Sequence, residues 1–338
     1  MAIKNLYPLK LKPVLKDAVW AGKRLASEFG KCDNPNRKIA ESWELTVHNN
    51  GVNIIENGEF AGKTLEDLFK LTSGSMISTE YNSDKFPLLI KFIDAEQDLS
   101  VQVHPNDKYA ATVEGGRESG KTEMWYVIDA KPGSKIVYGL NGDYTREQLQ
   151  DFIDRGRFED CLNYVDAKPG DVFFIPAGLI HAIGAEILIA EIQQNSDATY
   201  RLYDYNRFDS NGKPRELHIQ KALDVCIKTK TEYNRPERKH RDRDIEILYN
   251  CEYFEVMRAD LESCNRININ MGSEVNFRSF RSVICLDGEG EIVHEKNIYK
   301  IKKGDSYFLP ADINIGRVEI NKMEGKCVLL LTTLGNSV

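Results

Sequence analysis

From Phe86 onward the chain breaks into short apolar runs separated by turn residues, and the runs carry strand grammar. FPLLIKFIDA, LSVQVHP, MWYVIDA and SKIVYGL follow one another across residues 86–140, with Lys131-Pro132-Gly133 as a turn between the last two. Residues 144–164 switch to helical spacing, with Thr145 as N-cap and Gln148 three residues on. DVFFIPAG and ILIAEIQQ then return to strand. Upstream, residues 39–60 partly alternate, and Asn50-Gly51 and Asn57-Gly58 punctuate them as hairpin signals. Thr64 opens a helix that carries acidic residues in its first turn. Residues 213–230 place apolar side chains on one helical face, and from Ile245 to Leu334 the pattern is β again. Many short strands with turns between them predict a mainly β protein of sandwiches or closed barrels, with a few helices around them.

The two β-rich halves share words as well as grammar. KPGDVFFIPAGLIHAI begins at Lys168 and KKGDSYFLPADINIGR at Lys302, with Lys, Gly, Asp, Phe, Pro and Ala in register. Internal repetition of this kind predicts a duplicated structural unit. In that alignment His181 falls opposite Ile315, so the second copy keeps the turn and loses the imidazole. The expectation is two related jelly-roll barrels, 1–234 and 235–338, with chemistry only in the first. The charged stretch Arg235–Arg243 reads as an exposed linker between them.

Composition narrows the function classes. A length of 338 residues suits two domains. A net charge of -7 suits neither a nucleic-acid surface nor a basic membrane patch. No apolar run approaches the ~18 residues of a membrane span, and the N-terminal residues lack the apolar core of a secretory signal. A cytoplasmic protein is expected. Seven widely spaced cysteines without a CxxC argue for reduced thiols, not a zinc ribbon or a disulfide framework. Any metal must then rest on histidine and carboxylate.

Gln102 and His104 sit two apart on a predicted strand, so their side chains share one face while Val101 and Val103 take the other. Glu123 opens the strand TEMWYVID among large apolar neighbours, where a carboxylate is costly unless paired or metal-bound. His181 follows the Pro176-Ala177-Gly178 turn. Singly each residue has an ordinary reading: a solvated strand face, a strand-end glutamate, a satisfied loop histidine. Together they form a donor set that suits catalytic zinc, and iron or manganese would accept the same ligands. Lys121 shares strand parity with Glu123. Lys91 interrupts the apolar strand PLLIKFI and needs an anionic ligand or a structural partner. Glu44 and His48 share parity in ESWELTVH and are expected to face the same cavity.

SVQVHPND, GKTEMWYV, PAGLIHAIG and QNSDATYRLYDY together resemble the type I mannose-6-phosphate isomerases of the cupin superfamily. PLKLKPVLKDAVWAGKRL, AESWELTVH and GEFAGKTLEDLF resemble that family's opening. The resemblance covers most of residues 5–225 and, more loosely, the C-terminal barrel. It implies one zinc ion per chain, held by Gln102, His104, Glu123 and His181, with Gln102 the least secure of the four. It implies Arg201 as the catalytic arginine and Lys121 and Glu191 as active-site lysine and glutamate. The implied reaction interconverts mannose 6-phosphate and fructose 6-phosphate through an enediol, with a sugar phosphate as the only partner besides, at most, a second copy in a homodimer. Which group removes the proton stays open among Lys121, Glu191, His48 and metal-bound water. An Fe(II) oxygenase and a non-catalytic sugar-phosphate sensor are the competing readings, and the cluster of Lys91, Lys121 and Arg201 weighs towards an enzyme with an anionic substrate.

Overall fold

A computed structural model describes residues 6–78, 80–208, 212–262, 264–269, 279–311, 313 and 318–335. Three large sheets organise it. The first has five strands, in the order Leu162–Asp166, Lys135–Leu140, His181–Ile183, Val101–Val103 and Tyr200–Tyr203. The second has six, in the order Val172–Ile175, Glu123–Ala130, Ile187–Gln194, Leu88–Ala95, Glu41–Leu45 and Val14–Lys16. The inner faces of these two sheets meet in one core, where Ile136 and Ile183 pack with Ile93, Trp125, Val127, Phe173 and Ile189. The Lys131-Pro132-Gly133 turn, with Gly133 at φ 91°, carries the chain from one sheet to the other. That step is a corner of the sandwich, not a hairpin.

Burial explains the two kinds of strand pattern. The six-stranded sheet is covered on both faces. Its outer face, with Leu88, Ile90, Phe92, Ala190 and Ile192, packs on Phe254, Val256, Phe280, Phe308 and Leu330 of the C-terminal half. Leu88–Ala95 and Ile187–Gln194 are therefore buried along their whole length and read as continuous apolar runs. The five-stranded sheet is covered on its outer side by the helices Arg146–Asp154 and Ile219–Val225 through Leu149, Ala222 and Leu223.

The third sheet has ten strands and belongs mostly to the C-terminal half. Lys239–Asp242, Ile245–Asn250, Phe254–Asp260, Val318–Leu334, Arg281–His294 and Ser306–Leu309 run side by side around a second core of Met257, Val283, Ile301 and Leu329. The sheet continues into Leu9–Lys12, which pairs with Ser306–Leu309 in the register Leu9↔Phe308, and then into Ile54–Ile55. The N-terminal residues thus complete the C-terminal sheet, across the boundary expected between 234 and 235. The expected linker is also part of it: Lys239–Asp242 is an edge strand, and Arg235 and Arg238 pair with Asp171 and Glu246. Among the described residues no helix is long and apolar enough to cross a membrane.

The local signals hold where the physics is local. Thr64 caps Leu65–Leu71 in a reciprocal box with Asp67, and Thr145 caps Arg146–Asp154 in the same way with Gln148. That second helix stops short of the expected 164 because Gly156 turns left-handed at φ 66°, and Leu162–Asp166 is an edge strand. The helix expected over 213–230 is confined to Ile219–Val225, because His218 N–H and the Glu216 carbonyl bond to Arg201 instead. The hairpin at Asn50-Gly51 forms one residue early: Val47–His48 pairs with Gly51–Val52 around Asn49 and Asn50. Asn57-Gly58 makes no tight turn of its own: the Asn57 side chain bonds Lys10 N–H and the Pro8 carbonyl, and the chain closes antiparallel further out, where Ile54 bridges Thr64.

Glu44 does not face the cavity that sequence parity assigned to it. The pairing of Glu41–Leu45 with Leu88–Ala95 slips by one residue between Trp43 and Leu45, so the alternation resets. Glu44 turns outward and is buried between the halves, where Lys31 Nζ lies 2.7 Å from Oε1 and Ser42 and Ser306 donate to its carboxylate. The Lys31 side chain is only 3 % exposed. Glu44→Ala leaves that ammonium buried without its carboxylate and is expected to lower unfolding stability by about 3–5 kcal/mol. Urea unfolding of the variant beside the parent measures this, and an unchanged midpoint rules it out.

Candidate functional site

Two rows of side chains cross the facing inner surfaces, and strand register alone sets them. On the five-stranded sheet Tyr138, His181, Gln102 and Arg201 stand opposite one another in sequence. Opposed residues of antiparallel strands project to the same side, so the four line one face. On the six-stranded sheet the row is Phe173, Trp125, Glu191, Lys91 and Trp43. One step along that sheet, Glu123 stands opposite Gln193. His104 follows the end of Val101–Val103, on the same parity as Gln102.

His104, Glu123 and His181 converge where the rows meet. His181 Nε2 lies 3.1 Å from His104 Nε2 and 3.8 Å from Glu123 Oε2, and His104 Nε2 lies 3.2 Å from Glu123 Oε1. All three residues are buried, and one ligand atom from each lies within 4.8 Å of the others. The remaining ring nitrogens settle the tautomers. His104 Nδ1 donates to the Ala198 carbonyl and His181 Nδ1 to the Leu179 carbonyl, both at 2.8 Å. Each ring therefore turns an Nε2 lone pair inwards. Burial, and then the neighbouring His104 ring, push His181 down to about 3, so its ring is neutral. Burial and the Lys121 ammonium likewise lower His104. Glu123 Oε2 lacks a hydrogen-bond donor, and Oε1 is met by the Lys121 ammonium. Burial alone would raise its carboxyl, yet the Lys121 ammonium and the His104 ring hold it well below the usual range. Two inward lone pairs and an ionised carboxylate around one point are the donor set of a divalent cation, and zinc, iron and manganese all accept it. The Gln102 amide lies 3.5 Å from His181 Nε2, at the edge of the same point.

Positive charge surrounds this centre. Lys121 Nζ is 2.9 Å from Glu123 Oε1 and 3.4 Å from His104 Nε2. Lys91 is buried and pairs with Glu191 at 3.0 Å and Glu41 at 3.3 Å. Burial opposes its ammonium, but those two carboxylates outweigh burial and raise its pKa. Glu191 also accepts from Trp125 Nε1 at 2.8 Å, and burial followed by the Glu123 charge pushes its carboxyl up. Trp125 meets the His181 ring edge-on at 5.3 Å, so one indole links the lysine row to the centre. Arg201 reaches Ser100 Oγ at 3.1 Å and the Glu216 carbonyl at 2.9 Å, and among the described residues it makes no ion pair. Burial and the nearby Arg215 lower its pKa. His48 stands away from the centre, edge-on to Trp43 and 3.5 Å from Glu118. Of the ten candidate residues, Glu44 joins a network between the halves, and His48 joins that of Glu118. Trp125 and Glu41 went unnoticed in the sequence, although both share parity with chosen residues, Glu123 and Trp43's neighbour Lys91 across the strand pair.

The duplicated segments form the same turn. Asp171 accepts from Lys168 N–H at 3.0 Å, and Asp305 from Lys302 N–H at 3.1 Å. The strands that follow pair alike: Ile175 opposes Glu123, and Leu309, its counterpart in the repeat, opposes Arg281. A buried guanidinium thus occupies the register position that Glu123 holds in the first half. Ile315 lies outside the described residues.

Residues 8–134 match the family model for the catalytic domain of phosphomannose isomerase type I, and residues 244–331 that for the mannose-6-phosphate isomerase cupin domain. The chain is 40 % identical over 318 residues to mannose-6-phosphate isomerase ManA of Bacillus subtilis, covering 92 % of this chain and 96 % of that protein. It is 36 % identical over 307 residues to a mannose-6-phosphate isomerase of Streptococcus mutans, covering 90 % and 93 %. A crystal structure of the Bacillus subtilis mannose 6-phosphate isomerase is similar at a TM-score of 0.86 and 34 % identity, over 97 % of this chain and 99 % of that one.

The buried Glu123 carboxylate gives a direct test of the centre. Metal-stripped protein titrated with zinc should melt at a rising temperature, with about 2.7 kcal/mol gained at a hundredfold excess over Kd. Glu123→Gln should lose most of that rise in a thermal-shift assay, and an undiminished rise excludes Glu123 as a ligand.

Proposed function

Because the chain belongs to the type I phosphomannose isomerase family, it is an aldose–ketose isomerase of mannose 6-phosphate and fructose 6-phosphate, and we propose that His104, Glu123 and His181, with Gln102, hold one zinc ion per chain at its centre. The observation that carries the proposal is the buried Glu123 carboxylate, whose Oε2 has no hydrogen-bond donor, beside two imidazole lone pairs aimed at the same point. The oxygenase and sensor readings of the sequence lose their ground against that family membership.

The reaction moves a proton between C2 and C1 of the open-chain sugar through an enediol. A divalent cation bound at the centre supplies Lewis-acid stabilisation of the charge that develops on the sugar oxygens. The chain's own residues do the rest. Lys121 sets an ammonium against the same oxygens from the neighbouring strand. Arg201, without a carboxylate partner, offers a guanidinium fork to an anionic oxygen at the edge of the row. Glu191, its carboxyl pushed up by burial and by Glu123, forms the proposed proton relay with Lys121. Lys91 holds Glu191 in place, and Glu191 in turn holds the indole of Trp125. His48 joins the substrate side through Trp43, whose ring it meets edge-on. We place the enzyme in the cytoplasm, as a monomer or homodimer.

Formation of fructose 6-phosphate in a coupled assay should disappear with a chelator and return with zinc. No turnover with zinc supplied overturns the proposal. Arg201→Ala should lower kcat by roughly 10²–10³ while zinc stays bound by metal analysis. A near-normal kcat would remove Arg201 from catalysis.

A further inference from the structure

The two histidines of the centre are held in different ways. His181 donates to Leu179, two residues away in its own turn, and that turn is closed locally by Leu179 N–H on the Pro176 carbonyl. His104 donates to Ala198, a residue 94 positions further along the chain. Ala198 lies in the connection between Ile187–Gln194 and Tyr200–Tyr203, outside any ladder. A carbonyl in a connection is only as fixed as the bonds that hold that connection.

Asn50, Gln193 and Asn195 hold parts of that connection, and the bonds next to Ala198 converge on one side chain. Glu118 Oε2 accepts from Asp197 N–H at 2.9 Å and from Ser196 Oγ at 3.1 Å. Ser196 Oγ also reaches the Ser119 carbonyl at 2.8 Å and accepts from Ala198 N–H at 3.3 Å. The Ser196 carbonyl accepts from Gln193 Nε2 at 2.6 Å. The other oxygen of Glu118 faces His48 Nε2 at 3.5 Å. That ring is turned the right way, because its Nδ1 accepts from Asn50 N–H at 3.1 Å and leaves the proton on Nε2. Glu118 belongs to the segment that supplies Lys121 and Glu123, so one stretch of chain carries a ligand of the centre and the hold on another ligand's support.

We propose that Glu118 is a positioning residue for the metal centre: by pinning Ser196 and Asp197 it fixes the Ala198 carbonyl, and through it the ring of His104. It touches neither substrate nor metal. The inference rests on the reading of His104, Glu123 and His181 as a metal site, and it adds to that reading a residue outside the ligand set. Outer-shell partners of ligating histidines typically carry a 10–100-fold share of metal affinity.

The test is the zinc affinity of the whole protein, measured by competition with a chromogenic chelator, with circular dichroism and the melting temperature of the metal-free form as controls. Glu118→Ala should raise the zinc Kd at least about tenfold while the metal-free fold is unchanged. Glu118→Gln keeps an oxygen for the Asp197 N–H and should recover part of that loss. A folded Glu118→Ala protein that binds zinc as tightly as the parent overturns the inference. If Glu118→Ala does not fold, Ser196→Ala is read in its place, since it removes the hydroxyl that joins Glu118 to Ala198. A rise of about threefold or more then supports the inference, and parent affinity overturns it. A parent that binds no divalent metal would instead sink the metal-site reading, so the two failures are distinct.

Discussion

Three buried electron-pair donors aimed at one point cannot be left to each other. The Nε2 atoms of His104 and His181 are 3.1 Å apart, each with its proton committed to a carbonyl on the far side of the ring. Glu123 adds an ionised carboxylate, and Lys121 compensates only one of its oxygens. Such a constellation is costly in the absence of a cation. Much of the surrounding architecture serves to hold it together. The facing sheets fix the rows, Trp125 separates the lysine row from His181, and the Lys91–Glu191–Glu41 group keeps its own charges paired.

The second half of the chain shows the same scaffold relieved of that cost in another way. Where Glu123 stands opposite Ile175, Arg281 stands opposite Leu309, and its guanidinium donates to the Ser279 and Phe280 carbonyls and to Thr333. The side chain is buried, and burial pulls its pKa down to about 10. A fixed guanidinium at the register position of Glu123 would repel a divalent ion. The two halves thus share a turn and a strand pairing and are opposite in charge at one register position, and among the described residues only the first presents a His–Glu–His cluster able to hold a metal.

Much of this was legible in the sequence, and the reasons are physical. Capping boxes at Thr64 and Thr145 depend on residues three apart, so local spacing reveals them. The parity of Gln102 and His104 is a property of any strand, and Lys91 stands out because an ammonium in an apolar strand demands partners. Glu44 was misread because a slip in pairing, which leaves no mark in composition, resets the alternation after Trp43. The roles of Glu41, Trp125 and Arg281 depend on which strand lies opposite. Glu118 was invisible for a further reason: its effect on His104 passes through a backbone carbonyl, which every residue possesses.

The pairing of Leu9–Lys12 with Ser306–Leu309 bears on how the molecule comes to exist. Leu9 leaves the ribosome 299 residues before its partner Phe308. At synthesis rates of ~5–20 residues per second, that strand waits about 15–60 s with an open edge. The same strand meets Ile54–Ile55 early and Ser306–Leu309 only at the end, so closure of the large sheet is a late event that joins the two halves at once. An N-terminal fragment released before that moment would carry an unpaired edge and an uncovered outer face on its six-stranded sheet, the features that draw chaperones and aggregation.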